Sequence, residues 1–296
     1  MPHITVCICT FQRPVLLCRL LDALCIQQTE GLFTYSVVIA DNDKAASARD
    51  VVKQFAQTSK LEIVYCVEPV QNFALVRNRS LEKAHGEFAA FIDDDEFPVK
   101  DWLLQLFRAC EKYNVSGVLG PVLPHFDHEP PRWLKKGKFY HRPRHQTGFK
   151  LDWSECRTGN VLFRRNILAD LEVPFREEFR TGGEDMDFFR RASEKGYQFI
   201  WCDEAVAHEV VPPHRCKRRF LLNRALLRGN DTWKQSEDRM KNLLKSAIAF
   251  PLYSLALPVL LVAGHHYFMR YLVKWADHTG RLLACVGLNP VRNRQM

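Results

Sequence analysis

Short apolar runs closed by polar clusters alternate along most of this chain with stretches whose apolar residues recur at helical spacing. Ile4-Thr-Val-Cys-Ile-Cys-Thr10 is a β-branched run, broken by Phe11-Gln-Arg-Pro14. Leu16, Leu17, Leu20, Leu21 and Leu24 then mark a helix. Tyr35 to Ala40 reads as a second strand ending in Asp41-Asn42-Asp43, Ala48 to Thr58 as a helix, and Leu61 to Val67 as a third strand. A helical stretch from Asn72 to Gly86 would face the core with Leu75, Leu81 and Ala84. Phe88 to Ile92 has the length of a buried strand, and it ends in four acids, Asp93, Asp94, Asp95 and Glu96. The next helix (Trp102, Leu103, Leu106, Phe107, Cys110) begins after Asp101, a residue suited to its N-cap. Such alternation predicts an α/β fold with a parallel sheet and helices on both faces.

Further on, residues 121–150 read as a loop rich in Pro, in Lys and Arg, and in the aromatics Trp133, Phe139 and Tyr140. A lid over a diphosphate or sugar and a solvated surface both fit that composition. Arg157-Thr-Gly-Asn-Val-Leu-Phe-Arg-Arg165 is a short strand candidate containing Gly159 and Asn160. In Phe179-Arg-Thr-Gly-Gly-Glu-Asp-Met-Asp-Phe-Phe-Arg-Arg191, Gly182 and Gly183 form a turn that opens a helix. Phe188, Phe189 and Ala192 are its buried stripe, and Gly196 ends it. A strand from Tyr197 to Cys202 leads on to His208.

The 296 residues suffice for one large or two small domains, and carry 42 Lys plus Arg against 34 acids, a net charge of +8. That excess suits phosphorylated ligands or an anionic membrane; without zinc-finger spacing, an RNA-binding aromatic signature or a long basic run, nucleic acid is not expected. None of the ten cysteines forms a C-x-x-C pair, and Pro2-His3 leads directly into a strand, so a reducing cytosol is expected. Neither G-x-G-x-x-G after the first strand nor a P-loop is present, which argues against dinucleotide-binding and P-loop enzymes.

The acidic run carries the most chemistry. Open α/β sheets bind ligands at the carboxyl ends of their strands, and residues at i and i+2 of an extended backbone point the same way. Asp93 and Asp95 can therefore share a hard divalent cation while Asp94 turns aside; the alternative is a solvated acidic turn, which does not need a buried strand to anchor it. The run resembles the D-x-D element of metal-dependent glycosyltransferases of the GT-A fold, in particular the inverting family 2 enzymes. Thr10-Phe-x-Arg13 is similar to that family's first turn, Asp41 with Asn42 to the end of its second strand, and Asn72…Arg77-Asn78…Gly86 to its Asn…Ala-Arg-Asn…Gly helix.

That resemblance implies a GT-A-type nucleotide-diphospho-sugar transferase fold, with a mixed, mostly parallel sheet flanked by helices and a C-terminal helical membrane-associating segment. It assigns residues 1–100 to the nucleotide-sugar half, 101–214 to the acceptor-binding half, and 215–296 to a basic, apolar tail. Thr10, Phe11, Arg13, Asp41, Asn42, Arg77, Asn78, Asp93, Asp94, Gly159 and Asn160 are expected at the donor, with Arg77 and Asn78 facing its diphosphate or sugar. Mn2+ or Mg2+ is expected on Asp93, Asp95 and His208, with His214 the weaker substitute; Asp185 is expected as the general base and Glu184 as the residue that orients the acceptor. The implied function is inverting transfer from a nucleotide-diphosphate sugar, UDP-linked, to a lipid-linked or saccharide acceptor, as in bacterial exopolysaccharide enzymes of the succinoglycan type. A non-catalytic nucleotide-sugar scaffold is the rival; a sugar nucleotidyltransferase would need glycines that Thr10-Phe-Gln-Arg13 lacks.

From Arg215 the composition changes. Basic residues interleave with Phe220, Leu221, Leu222, Leu226 and Leu227, a pattern suited to an interfacial helix. Residues 246–269 contain no Asp, Glu, Lys or Arg, and Ala247 to Gly264 is long enough to span. Pro251 and Pro258 are expected to interrupt that helix, and a span would strand Arg270, Lys274, Arg281, Arg292 and Arg294 on the far side. Peripheral or monotopic attachment to the cytoplasmic face of the inner membrane, through an in-plane or re-entrant helical hairpin, is the favoured reading, ahead of a true span or a buried soluble helix.

Overall fold

The computed structural model describes residues 1–179, 182–235 and 238–288. Arg180 and Thr181 of the glycine–acid run, and Arg292 and Arg294, lie outside them. In chain order the elements are β1 (His3–Thr10), α1 (Pro14–Cys25), β2 (Thr34–Asp41), α2 (Arg49–Thr58), β3 (Ile63–Val67), α3 (Phe73–Lys83), β4 (Phe88–Ile92) and β5 (Glu96–Pro98). They continue as α4 (Trp102–Tyr113), β6 (Gly117–Leu119), β7 (Val122–His125), α5 (Arg132–Lys136), β8 (Asn160–Arg164), α6 (Glu184–Glu194), β9 (Phe199–Trp201) and β10 (Ala207–Val210). Three long helices close the chain: α7 (Arg218–Gln235), α8 (Arg239–Ala263) and α9 (His265–Cys285).

By its contacts the chain divides into two units, Met1–Pro124 with Arg142–Val210, and His125–His141 with Val211–Met296. In the first, seven strands form one sheet in the order β3-β2-β1-β4-β8-β6-β9. β1 pairs in parallel with β2 and β4, β2 with β3, and β6 with β9; β8 alone of these runs antiparallel, to β4 and β6. The sheet is therefore mixed and mostly parallel. Period-two alternation gives it two buried faces. Ile4, Val6 and Ile8 of β1, with Phe88, Ala90 and Ile92 of β4, pack against α1, α2 and α4; Cys7, Ala89 and Phe91 pack against α3 and α6. The parallel register brings the ends of β1, β2 and β4 (Thr10, Asp41 and Ile92) to one edge. Strand β10 lies between β5 and β7 in a small second sheet.

Local details differ from expectation. Val76 is fully buried and Leu75 only partly, because α3 turns Ala74, Val76, Ser80 and Leu81 inward. Asp101 stands at the N-cap of α4 without capping it; its carboxylate accepts from Gln105 Nε2 instead. The segment 121–150 is not all loop. It contains β7, of 4 residues, and α5, of 5, both too short for a periodic signal.

In the second unit α9 packs against both α7 and α8, and Leu134 of α5 shares a small core with Val211, Cys216 and Leu221. Gly264 joins α8 to α9 in a tight helical hairpin, tied by Trp275 Nε1 to Ser254 Oγ at 2.9 Å and Arg281 Nη1 to Ser246 Oγ at 3.2 Å. Pro251 and Pro258 do not interrupt α8; both lie inside one continuous helix. That helix is long and apolar enough to cross a membrane by length and composition. Its outer stripe (Leu244, Ile248, Leu252, Leu255, Val259, Val262) is exposed. All ten cysteines are free.

Candidate active site

At the sheet edge the turn after β1 holds the acidic run. Thr10 Oγ1 donates to Asp94 Oδ2 at 2.8 Å, and Arg13 Nη1 donates to Asp94 Oδ1 at 2.9 Å and Asp95 Oδ2 at 3.1 Å. Asp94 is thus buried with both oxygens engaged, so it serves as the anchor of the run rather than merely turning aside. Asp93 is the accessible member, with its side chain 48% exposed. Burial, then the charges of Asp93 and Asp94, push Asp95 up to about 7 against the pull of Arg13. The first residue of β5, Glu96, is fully buried and is raised well above the carboxylate range by burial, Asp93 and Asp95. Its cross-strand neighbour Glu209 pairs with Arg142 at 2.7 Å. Glu96 and Glu209 belong to this acidic site although neither was assigned to it; the unbroken run of four acids was the only signal for Glu96.

The chemistry of this donor set fits a hard divalent cation. Asp93 and Asp95 offer carboxylate oxygens, and the burial and mutual repulsion that hold Asp95 and Glu96 towards their protonated forms are what a bound cation would relieve. A Cβ on Gly159 would lie 3.0 Å from Glu96 Oε1 and 3.1 Å from Asp93 Oδ2, so the bare backbone leaves these acids their room. Among the described residues, no three His, Cys, Asp or Glu side chains close on one point. His208 sits on β10 opposite Phe97 and stacks on its ring at 5.3 Å; two residues later, Val210 N–H donates to the Asp95 carbonyl at 2.8 Å. His214 falls in the second unit, edge-on to Phe220.

Several expected donor residues prove to be tied up inside the fold. Asp41 is wholly buried, accepting from Asp43 N–H at 3.0 Å, and from Ala48 N–H and the Tyr65 hydroxyl, each at 2.8 Å. Asn42 donates to the Glu68 and Val70 carbonyls and accepts from Asn72 N–H. Asn160 is saturated as well: Trp102 Nε1 donates to its Oδ1 at 2.7 Å, and its Nδ2 donates to the Pro121 and Ala205 carbonyls. Asn78, expected at the diphosphate or sugar, is engaged by the Phe175 backbone: its Nδ2 donates to the Phe175 carbonyl and its Oδ1 accepts from Phe175 N–H. Asp43, beside Asp41, is held below the usual carboxylate range by the Ala45 N–H and accepts from Gln12 Nε2 at 3.2 Å. Phe11 is half-buried at the same turn.

The second acidic group begins α6. Gly183 has φ +99, a left-handed turn that glycine adopts without strain, and Glu184 follows as the first helical residue. Glu184 is buried and pairs with Arg77 of α3, while Asp187 is buried and bonded to Arg190 and Arg191. Asp185, between them, is half-exposed, has no side-chain partner among the described residues, and takes only the Met186 N–H at 2.8 Å. Arg77 Nη2 also lies 3.9 Å from Asp93 Oδ1, so the two acidic groups meet across one guanidinium.

Among the described residues the Asp185 carboxylate accepts no arginine hydrogen bond, whereas Glu184 and Asp187 on either side both do. Comparison with known proteins identifies the family. Residues 5–172 match the family described as Glycosyl transferase family 2, and residues 89–286 match Glycosyl transferase family group 2. The succinoglycan biosynthesis protein ExoM of Rhizobium meliloti is 34% identical over 231 residues, covering 77% of this chain and 73% of its own. The fold is also that of a mannosyltransferase, PcManGT from Pyrobaculum calidifontis, solved with GDP-Man and Mn2+ (TM-score 0.64, 18% identity, 95% of this chain and 87% of that one). It is likewise that of S. aureus TarS 1–349, solved with UDP (TM-score 0.55, 16% identity, 96% and 91%). With the family matched over more than half its length and the α/β sheet arranged as in these enzymes, the chain belongs to glycosyl transferase family 2 and is a glycosyltransferase.

Proposed function

We propose that the enzyme transfers a sugar from a nucleoside-diphosphate donor, UDP-linked, to a lipid-linked saccharide with inversion at the anomeric carbon, as a step of bacterial exopolysaccharide assembly. The observation that carries this reading is Asp185, the acid of the first turn of α6 that, among the described residues, accepts no arginine hydrogen bond, flanked by the paired acids Glu184 and Asp187. In the reaction the acceptor oxygen forms a bond to the anomeric carbon as the bond to the diphosphate oxygen breaks. The electron pair leaves with the nucleoside diphosphate, and the acceptor proton passes to Asp185. Asp93 and Asp95, with His208 on the neighbouring strand, would hold Mn2+ or Mg2+, which when bound offsets charge on the departing diphosphate. Arg13 supplies fixed positive charge at the same edge and keeps the acids from separating. Neighbours of the same fold solved with UDP and with GDP-Man support a nucleotide-sugar donor, and the succinoglycan biosynthesis named for ExoM supports the pathway.

The C-terminal hairpin supports attachment within the plane of a membrane. α9 returns alongside α8, which sets the exposed Arg270 and Lys274 beside the middle of the apolar helix. A span with this packing would carry both cations into the hydrocarbon, whereas a hairpin lying flat buries the stripe from Leu244 to Val262 and leaves them in water.

Thermal melting of the purified full chain against UDP, GDP, dTDP and CDP, with and without Mn2+, tests the donor reading. Ligand binding to the folded state raises the midpoint. A metal-dependent rise with one base, UDP by this account, supports it; no rise with any of them overturns it.

A further inference from the structure

Arg77 and Asn78 are neighbours on α3, yet they are engaged differently. Asn78 is committed to the Phe175 backbone. The Arg77 side chain, 13% exposed, pairs through Nη1 with Glu184 Oε1 and places Nη2 3.9 Å from Asp93 Oδ1, with its Cζ 5.9 Å from the Phe175 ring centroid. One cation therefore bridges the first acid of the sheet-edge run and the acid next to the proposed base.

Its partner is incompletely satisfied. Glu184 is 3% exposed, and its second oxygen, Oε2, is buried with no hydrogen-bond partner among the described residues. A buried acceptor left unpaired costs about 1–3 kcal/mol, more for a charged group, and native structures seldom tolerate one without a reason. A ligand hydroxyl would satisfy it. Arg77 fixes one oxygen and so holds the orientation of the other; Asp185 is the next residue in the chain.

We propose that Arg77 is a positioning residue rather than a diphosphate ligand: it orients Glu184 so that Oε2 receives a hydroxyl of the acceptor sugar beside Asp185. This rests on the transferase reading given above. Its consequence is that Arg77 acts through Glu184. Nucleotide affinity should not depend on Arg77, and its contribution to turnover should vanish once Glu184 has lost its charge.

A double-mutant cycle on the full chain tests this. Arg77→Gln, Arg77→Lys, Glu184→Gln and the double Arg77→Gln/Glu184→Gln are compared for UDP affinity in Mn2+ and for turnover of a UDP-sugar with a bacterial lipid extract as acceptor. UDP affinity should stay within about 3-fold in every variant. Turnover should fall about 100-fold in Arg77→Gln, less in Arg77→Lys, and no further in the double variant than in Glu184→Gln alone. Should Arg77→Gln fail to fold, the Arg77→Lys and Glu184→Gln pair gives the same comparison. Loss of UDP affinity by more than about 10-fold in either Arg77 variant would make Arg77 a donor ligand and overturn the proposal, as would additive losses in the cycle. Absence of UDP binding by the unsubstituted chain would instead remove the donor reading on which it rests.

Discussion

Asn78 and Phe175 exchange two hydrogen bonds: Asn78 Nδ2 donates to the Phe175 carbonyl at 2.7 Å, and Phe175 N–H donates to Asn78 Oδ1 at 3.0 Å. The side chain thus substitutes for a strand partner that this segment lacks. Asn72, at the N-cap of the same helix, donates to the Glu177 carbonyl at 3.0 Å. Helix α3 therefore pins the segment leading to the glycine–acid turn. Asn78→Ala should cost about 2 kcal/mol in urea unfolding, roughly 1 for each bond, and leave UDP affinity unchanged. Lost affinity at unchanged stability would return Asn78 to the donor site.

The crowded acids predict an unusual response to pH. Asp95 moves from its ordinary value of 3.8 up to about 7 in the folded chain. Between those values the folded chain holds a proton that the unfolded chain has lost, so stability declines as pH rises through that window. Asp94, Glu96 and Glu184 shift the same way, burial being the largest cause for each. Metal-free protein should melt lower at about pH 7.5 than at about pH 5, and Asp95→Asn should flatten the slope. A slope as steep in Asp95→Asn as in the unsubstituted chain would contradict the assignment.

Much of this was legible in the chain, and the physical reason is local. The runs ending at Thr10, Asp41 and Ile92 announce three parallel strands because each closes on polar residues, and the glycine pair before Glu184 announces a helix start. What stayed hidden depends on distant partners. Asn160 meets Trp102 across 58 positions, Asn42 meets Val70 across 28, and Asn78 meets Phe175 across 97. A strand-end amide reads the same whether it faces a ligand or a carbonyl elsewhere in the fold. The prolines of α8 misled for a related reason: they mark a local weakness in a helix, while the packing of α8 on α9 is a tertiary contribution that a one-dimensional pattern omits.

Gly159 should matter for binding more than for stability. The groups its missing Cβ spares are the carboxylate ends of Glu96 and Asp93, which can move aside. Gly159→Ala should cost about 1 kcal/mol in stability yet weaken Mn2+-dependent UDP binding about 10-fold, because displaced acids no longer meet one ion. Equal binding in Gly159→Ala and the parent would separate Gly159 from the metal site.

The hairpin predicts a flat depth profile. Nitroxides placed singly at Ile248, Leu252, Leu255 and Val259 should report one shared depth in anionic vesicles. Leu252→Lys with Val259→Lys should abolish flotation, since each buried apolar side chain contributes roughly 1.5–3 kcal/mol. A depth that changes steadily from Ile248 to Val259 would establish a span.

The most direct test of the catalytic account is Asp185→Asn, assayed for UDP binding and for sugar transfer on the same preparation. Among the described residues the Asp185 carboxylate accepts only the Met186 N–H, so the substitution should leave melting and UDP affinity intact while transfer falls about 10²- to 10⁴-fold. Transfer at the parent rate with UDP still bound would contradict Asp185 as the base.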